Sequence, residues 1–159
     1  MSIRLTFLFA TCVLGLAGCA FSGDKDGATG GKAEPAQHKH PSSTAEICSF
    51  FKKAHTKLSA QYAEFESKTL DSHWTWSDDS VSQLGSALAP LLRREAEDIQ
   101  QSVSESATGP VAAQVKDLAE QDVHLAEKIE GRTFQGSIET SERLVDATVK
   151  SVKSICAIH

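Results

Sequence analysis

The chain has 159 residues and carries 16 Lys and Arg against 21 Asp and Glu, which gives a formal net charge of −5 at pH 7. An acidic chain lacks the basic surface through which proteins bind nucleic acids electrostatically, so we exclude nucleic acid as a partner. The length suits one small domain.

The N-terminus has the features of an export signal. Arg4 is followed by a run from Leu5 to Leu16 without a charged residue, and small residues come next. A short positive region, an apolar stretch and small residues at its end are typical of a cleaved signal peptide. The apolar stretch is shorter than the roughly 20 residues that span a bilayer. We therefore predict that residues 1–18 are removed and contribute nothing to the fold.

The end of this signal, Leu16-Ala17-Gly18-Cys19, resembles the lipobox of bacterial lipoproteins. In that family the cysteine thiol is joined to a diacylglycerol, and cleavage leaves this cysteine as the first residue. The resemblance covers the first nineteen residues and implies a protein held by acyl chains such as palmitate on Cys19 at the extracytoplasmic face of a cell membrane. Two acyl chains anchor firmly, whereas one binds only marginally. The alternative is an ordinary cleaved signal with a coincidental cysteine.

Residues 19–43 are interpreted as a stalk between the lipid and the folded domain. The segment consists mainly of small, charged and proline residues, and Phe21 is its only large apolar side chain. Such a segment cannot bury enough apolar surface to offset the entropy of ordering it. We predict a lipid-anchored, flexible stalk there, and one folded domain over residues 44–159.

Apolar residues in the domain recur at helical spacing without strand-like alternation, which predicts an all-helical fold. The first helix begins at Ser43, where Glu46 three residues later completes a capping-box pattern. The second begins after Ser77. It contains Pro90, which lacks an amide donor, so we expect this helix to be kinked there or split in two.

Two further helices complete the predicted domain. The third begins at Pro110 and ends at Gly131, interpreted as the glycine that follows a helix, and the fourth begins at Ser137. The predicted core lines are Ile47, Phe51, Ala54, Leu58, Tyr62 and Phe65; Val81, Leu84, Leu88, Leu91, Leu92, Ile99 and Val103; Val111, Val115, Leu118, Leu125 and Ile129; and Ile138, Val145, Val152 and Ile155, flanked by Leu144 and Val149.

Helices joined by short connections pack as antiparallel neighbours. We therefore predict an antiparallel up-down four-helix bundle with a kinked second helix, closed by one disulfide. This topology places the start of the first helix, with Cys48, beside the end of the fourth, with Cys156. Cys12 leaves with the signal and Cys19 carries lipid, so this pair remains. An isolated pair in an oxidising exported compartment predicts a disulfide. Two free thiols or half of a metal site are the alternatives.

Large aromatic residues gather in the two connections at the opposite end of the predicted bundle. Trp74 and Trp76 lie between the first two helices, and Phe134 lies between the last two. One interpretation is a lid that closes the end of the bundle. The other is an exposed patch that binds a partner, because tryptophan is enriched among binding hot spots.

The sequence contains no recognisable catalytic or cofactor-binding pattern. Di-iron bundles carry Glu-x-x-His on two helices, and the residues three before His55 and His124 are Lys52 and Gln121. Tyr62 is a residue type that can ligate haem, as are His55 and His73, but Tyr62 falls on the core line and is better interpreted as packed.

The acids of the second and third helices, among them Glu95 and Asp122, are interpreted as a solubilising surface. We therefore expect no metal, no cofactor and no catalytic residues. The sequence favours a non-enzymatic binding module of the cell envelope, held to the membrane by its lipid, whose partner is another envelope protein. The alternative is a carrier of a small apolar ligand or haem between the helices, and an enzyme comes third.

Overall fold

The computed structural model describes residues 41–158, and within this range the chain forms four α-helices and no strand. The helices are α1 (Thr44–Thr69), α2 (Asp79–Ser102), α3 (Pro110–Glu130) and α4 (Gln135–Ile155). This confirms the all-helical class and the four predicted helices. The predicted signal peptide, Cys19 and nearly all of the predicted stalk lie outside the described residues. None of the four helices is both long enough and apolar enough to cross a membrane.

The start of α1 follows the predicted capping box. The Glu46 backbone N–H donates to Ser43 Oγ at 3.3 Å, and the Ser43 backbone N–H donates to the Glu46 carboxylate at 3.1 Å. These bonds satisfy backbone donors that have no partner inside the helix. They explain why the helix begins at Thr44 and not in the preceding segment.

The second helix runs without interruption from Asp79 to Ser102, with Pro90 inside it. Of the two outcomes expected for this proline, a split into two helices does not occur. Asp78 stands before the first turn in an extended conformation, where its carboxylate accepts the Thr75 backbone N–H at 2.7 Å. The carboxylate thereby stabilises the turn that leads into α2.

The end of α3 differs from the prediction for Gly131. Gly131 keeps a helical conformation (φ −74°), and the left-handed residue is Arg132 (φ 47°). The Thr133 N–H donates to the Lys128 carbonyl at 3.0 Å, which closes a Schellman turn with arginine at the position that usually holds glycine. A Cβ at residue 131 would lie 3.1 Å from the Glu127 carbonyl oxygen, a tight contact that glycine avoids.

The fourth helix begins at Gln135, two residues before the predicted start at Ser137. The Phe134 carbonyl oxygen accepts hydrogen bonds from the N–H groups of Ser137 and Ile138 at 3.0 and 3.4 Å. Phe134 is therefore the N-cap residue, whose carbonyl closes the first turn of α4. Phe134 has no side-chain oxygen to cap the helix, and sequence rules for N-caps therefore pass over it.

The core of the described domain draws side chains from all four helices, and every predicted core position on α1 and α3 is buried. On α2, Leu84 and Leu91 are only partly buried. On α4 the prediction for Ile155 is wrong, since it is 40% exposed, whereas Val149 on the predicted flank is buried. The fully buried large side chains include Phe51, Phe65, Ile47, Leu88, Leu92, Ile99, Leu118, Leu125 and Ile138.

The helices pack in chain order, α1 on α2, α2 on α3 and α3 on α4, and α1 approaches α4 more sparsely. Cys48 in the first turn of α1 and Cys156 directly after α4 lie at disulfide-bonding distance, with their Cα atoms 5.5 Å apart. The Tyr62 hydroxyl donates to the Glu142 carbonyl oxygen at 3.0 Å and joins the same two helices.

Candidate functional site

Trp74, one of the aromatic residues predicted to bind a partner, is buried, with 6% of its surface exposed. Its Nε1–H donates to the Thr69 carbonyl oxygen at 2.9 Å. Its ring meets that of Trp76 edge to face, with 5.0 Å between ring centroids. Trp74 therefore anchors the α1–α2 connection to the end of α1.

Trp76 is half-buried and links the first connection to the third. Its Nε1–H donates to the Thr133 carbonyl oxygen at 2.7 Å. Its indole lies over Gly85 of α2, where a Cβ would stand 3.1 Å from the indole and 3.1 Å from Ile129 of α3. Glycine at residue 85 thus provides the space in which the ring sits, and the two connections are held together.

Phe134 is the member of the predicted patch that faces solvent, with 76% of its surface exposed. Its ring lies over the start of α4, because a Cβ on Gly136 would meet Phe134 Cε2 at 3.4 Å. The other exposed large apolar side chains of residues 41–158 are Leu144 (53%) and Ile155 (40%). Phe134 is thus the most exposed of the three aromatic residues.

A surface groove of about 280 Å³ runs beside Trp76 along α2. Its walls are formed mainly by small residues of α2, together with Trp76, Pro90, Ile129 and the Glu130–Arg132 turn. Another groove, of about 440 Å³, lies between the end of α2 and α3 and is lined by Ile99, Val103 and Ala119 together with polar side chains. Both open to the surface, and carriage of an apolar ligand or haem inside the bundle stays a prediction.

Three acids of the helices are buried: Glu95 is 4% exposed, and Asp122 and Glu142 are fully enclosed. The interpretation of Glu95 and Asp122 as a solubilising surface is therefore wrong. The helical spacing of these acids from the apolar core residues could have predicted their burial. Asp122 stands four residues after Leu118 and three before Leu125, both buried core residues. Glu95 and Glu142 occupy equivalent places between buried apolar residues of α2 and α4.

Glu95 and Asp122 form a mid-bundle cluster with His55 of α1. His55 Nδ1 lies 3.6 Å from Glu95 Oε1, which is ion-pair range but too long for a hydrogen bond. The imidazole stacks on the Phe51 ring at 5.2 Å. Neither carboxylate oxygen of Glu95 or Asp122 has a hydrogen-bond partner. Burial, and then the negative charge of Glu95, raises the pKa of Asp122 well above its usual value, which favours the neutral carboxyl.

A second polar cluster, which we call the Glu142 clasp, consists of Tyr62, Thr69 and Glu142. Thr69 Oγ1 lies 2.5 Å from Glu142 Oε1, and Glu142 Oε2 has no hydrogen-bond partner. Burial raises the pKa of Glu142 to about 7. Burial, and then the charge of Glu142, raises the pKa of Tyr62 well above its usual value. Tyr62 is a packed residue, as the sequence favours, and its hydroxyl is bonded to the Glu142 carbonyl.

Among residues 41–158, no three side chains of His, Cys, Asp or Glu are grouped so that they could hold a metal ion. His124 Nδ1 lies 3.6 Å from Glu127 Oε2 on an exposed face of α3. The raised pKa values of Asp122 and Glu142 favour the protonated form of these two buried carboxyls.

No protein-family model, curated protein or solved structure matches this chain.

Proposed function

We propose that the chain is an exported bacterial lipoprotein, anchored by lipid on Cys19, whose helical domain is a non-enzymatic binding module of the cell envelope. Residues 1–18 would be the cleaved signal, residues 19–43 the stalk and residues 44–159 the binding domain. The proposal includes an up-and-down order of the four helices with a kink at Pro90. The partner would be another envelope protein.

The location rests on the lipobox-like Leu16-Ala17-Gly18-Cys19 together with the two cysteines of the folded domain. Cys48 and Cys156 lie at bonding distance. Disulfides persist in oxidising exported compartments and are rare in the reducing cytosol. A cysteine pair of this kind supports export, and the lipobox supplies the reason why an exported chain would stay at the membrane.

The observation that carries the binding role is the exposure of Phe134. An aromatic ring that is 76% exposed leaves much apolar surface in water, and aromatic side chains are enriched in protein interfaces. The Schellman turn before it and the bond from Trp76 to Thr133 hold its connection in place. A fixed anchor loses little conformational entropy on binding, which favours affinity.

Phe134 is also well placed for a partner away from the membrane. Phe134 and Cys156 stand at opposite ends of α4, and a helix of 21 residues is about 30 Å long. The stalk enters α1 beside Cys48, which lies next to Cys156. The anchored end and Phe134 are therefore separated by about the length of the helix.

Site-specific photo-crosslinking tests the binding role. A benzophenone side chain would be placed at residue 134 in one variant and at residue 144 in the control, since Leu144 is also exposed but lies in the middle of α4. We expect a discrete envelope-protein adduct from residue 134 and not from residue 144. Equal adducts from both positions, or none from residue 134 in intact cells, would refute the role of Phe134.

A further inference from the structure

The seam between α1 and α4 is joined at few places. At one end Cys48 and Cys156 are at bonding distance. Further along, α1 and α4 meet at the Glu142 clasp, and Arg143 pairs with Asp71 on the surface. Between these contacts lies a groove of about 250 Å³, whose lining includes His55, Tyr62, Glu66, Asp146 and Val149. The clasp therefore supplies polar contacts between α1 and α4 at the side of this groove away from the cysteines.

The two contacts of the Thr69 hydroxyl favour a proton on the Glu142 carboxyl, whereas the bond from Tyr62 to the Glu142 backbone carbonyl does not depend on it. Thr69 Oγ1 lies 2.8 Å from the Phe65 carbonyl oxygen and 2.5 Å from Glu142 Oε1, yet a threonine hydroxyl has only one proton to donate. If Glu142 is ionised, the hydroxyl can donate to only one of the two oxygens, and in the other contact two oxygen atoms face each other without a proton between them. If Glu142 is protonated, it donates to Thr69 and Thr69 donates to Phe65, so both contacts are satisfied.

The groups around Glu142 act on its pKa in both directions: burial, the largest effect, disfavours the ionised form, and a hydrogen bond from Thr69 favours it. Glu66 of α1 and Glu139 of α4 disfavour its ionised form, whereas Arg143 of α4 favours it. The Arg143 guanidinium is engaged with Asp71. From α3, the negative charge of Asp122 acts on Tyr62 of the clasp, and Lys128 donates to Ser141 Oγ at 2.6 Å. In the described domain α4 packs on α1 and α3, and the groups that shift the pKa of Glu142 include none from α2.

We propose that Glu142 is a proton-operated clasp: with its proton it holds α4 to α1, and without it this part of the seam loosens while the cysteine-linked end stays joined. An ionised, fully buried carboxylate with an unpartnered oxygen is costly. Separation of α1 from α4 next to the groove would bring water to it. The pKa of about 7 places this change near neutrality.

Hydrogen exchange of the purified protein at pH 5.5 and pH 8.5, corrected for the intrinsic rates, tests the clasp. We expect protection in residues 58–69 and 135–148 to fall about tenfold or more at the higher pH, since deprotonation is linked to opening. Protection next to Cys48 and Cys156 should change little. Protection in both segments that is the same at the two pH values would overturn the proposal.

Glu142→Gln keeps the shape of the side chain and carries no charge, so the pH dependence should disappear in this variant. Glu97→Gln, at an exposed position of α2, is the matched control and should behave as the unmodified protein does. If Glu142→Gln keeps the pH dependence, another group such as Asp122 causes it and the clasp is refuted. If this variant fails to fold, a carboxyl-carbon NMR titration of the unmodified protein decides: a midpoint near 7 supports the clasp, and one below about 5 refutes it.

Discussion

Breaking the bond between Cys48 and Cys156 is expected to remove a large part of the stability of the domain. The two residues are 108 apart in sequence, so the bond closes a loop that spans almost the whole domain. In the chain-entropy description, a loop of this length stabilises the folded state by about 4–5 kcal/mol. Small domains unfold with a free energy of about 5–15 kcal/mol in total. The sparse packing of α1 on α4 offers little to replace the lost constraint.

Urea denaturation of a Cys19→Ser chain, followed by tryptophan fluorescence and circular dichroism, measures this effect with and without a reductant. A Cys48→Ser, Cys156→Ser variant should match the reduced protein. A loss below about 1 kcal/mol would contradict the reasoning. Mass analysis after thiol alkylation then identifies the failed step. If both cysteines are alkylated before reduction, the bond does not form. If they are alkylated only after reduction, the bond forms and closing the loop contributes less than the entropy argument requires.

Three other perturbations have outcomes that follow from the described residues or the lipobox. The pKa of Glu142 is raised from 4.5 to about 7 in the folded chain, so its contribution to stability is fully present below pH 4.5 and is lost as pH rises to about 7. We expect the free energy of unfolding to fall by about 3 kcal/mol over this range. Urea midpoints that are equal at pH 4.5 and 7.5 would exclude this effect. Leu88→Ala leaves a cavity at a fully buried site and should lower the free energy of unfolding by about 2–5 kcal/mol. Leu144→Ala, at an exposed site, should lower it by less than about 0.5 kcal/mol. Equal losses of the two variants in thermal or chemical denaturation would show that the core is misassigned. Cys19→Ser should move the protein from the membrane fraction to the soluble fraction on cell fractionation, and retention in the membrane would rule out the anchor.

Apolar spacing predicts the helices and most of the core because burial repeats with the turn of the helix. The line from Ile47 to Phe65 is buried at every predicted position. The capping box at Ser43 also forms, because it depends on two side chains of one short segment. Such local patterns can be recognised in the sequence without knowledge of the tertiary structure.

Helix ends without a side-chain signature are harder to predict. Phe134 precedes α4 without a capping oxygen, so Ser137 is the more typical residue for a helix start. At the end of α3, Gly131 avoids a tight contact with the Glu127 carbonyl oxygen, while Arg132 takes the left-handed conformation. Both outcomes depend on contacts that a residue-type preference does not contain.

The candidate sites are the part that the sequence predicts least well. Glu95 and Asp122 lie on the buried helical face, but their charge favours an assignment to the surface, and tertiary packing overrides it. The two connections that contain the aromatic residues meet, as the bond from Trp76 to Thr133 shows. Which of their rings is buried depends on whether a backbone carbonyl is placed to accept the indole N–H. Trp74 and Trp76 find theirs on Thr69 and Thr133, so their polar N–H groups can be enclosed.

The most direct test of the proposed envelope lipoprotein is the mass of the N-terminal peptide of the protein isolated from its own membranes. We predict a peptide that begins at Cys19 and carries a diacylglyceryl group on its sulfur. A peptide that begins at Met1, or one with an unmodified Cys19, would contradict the account.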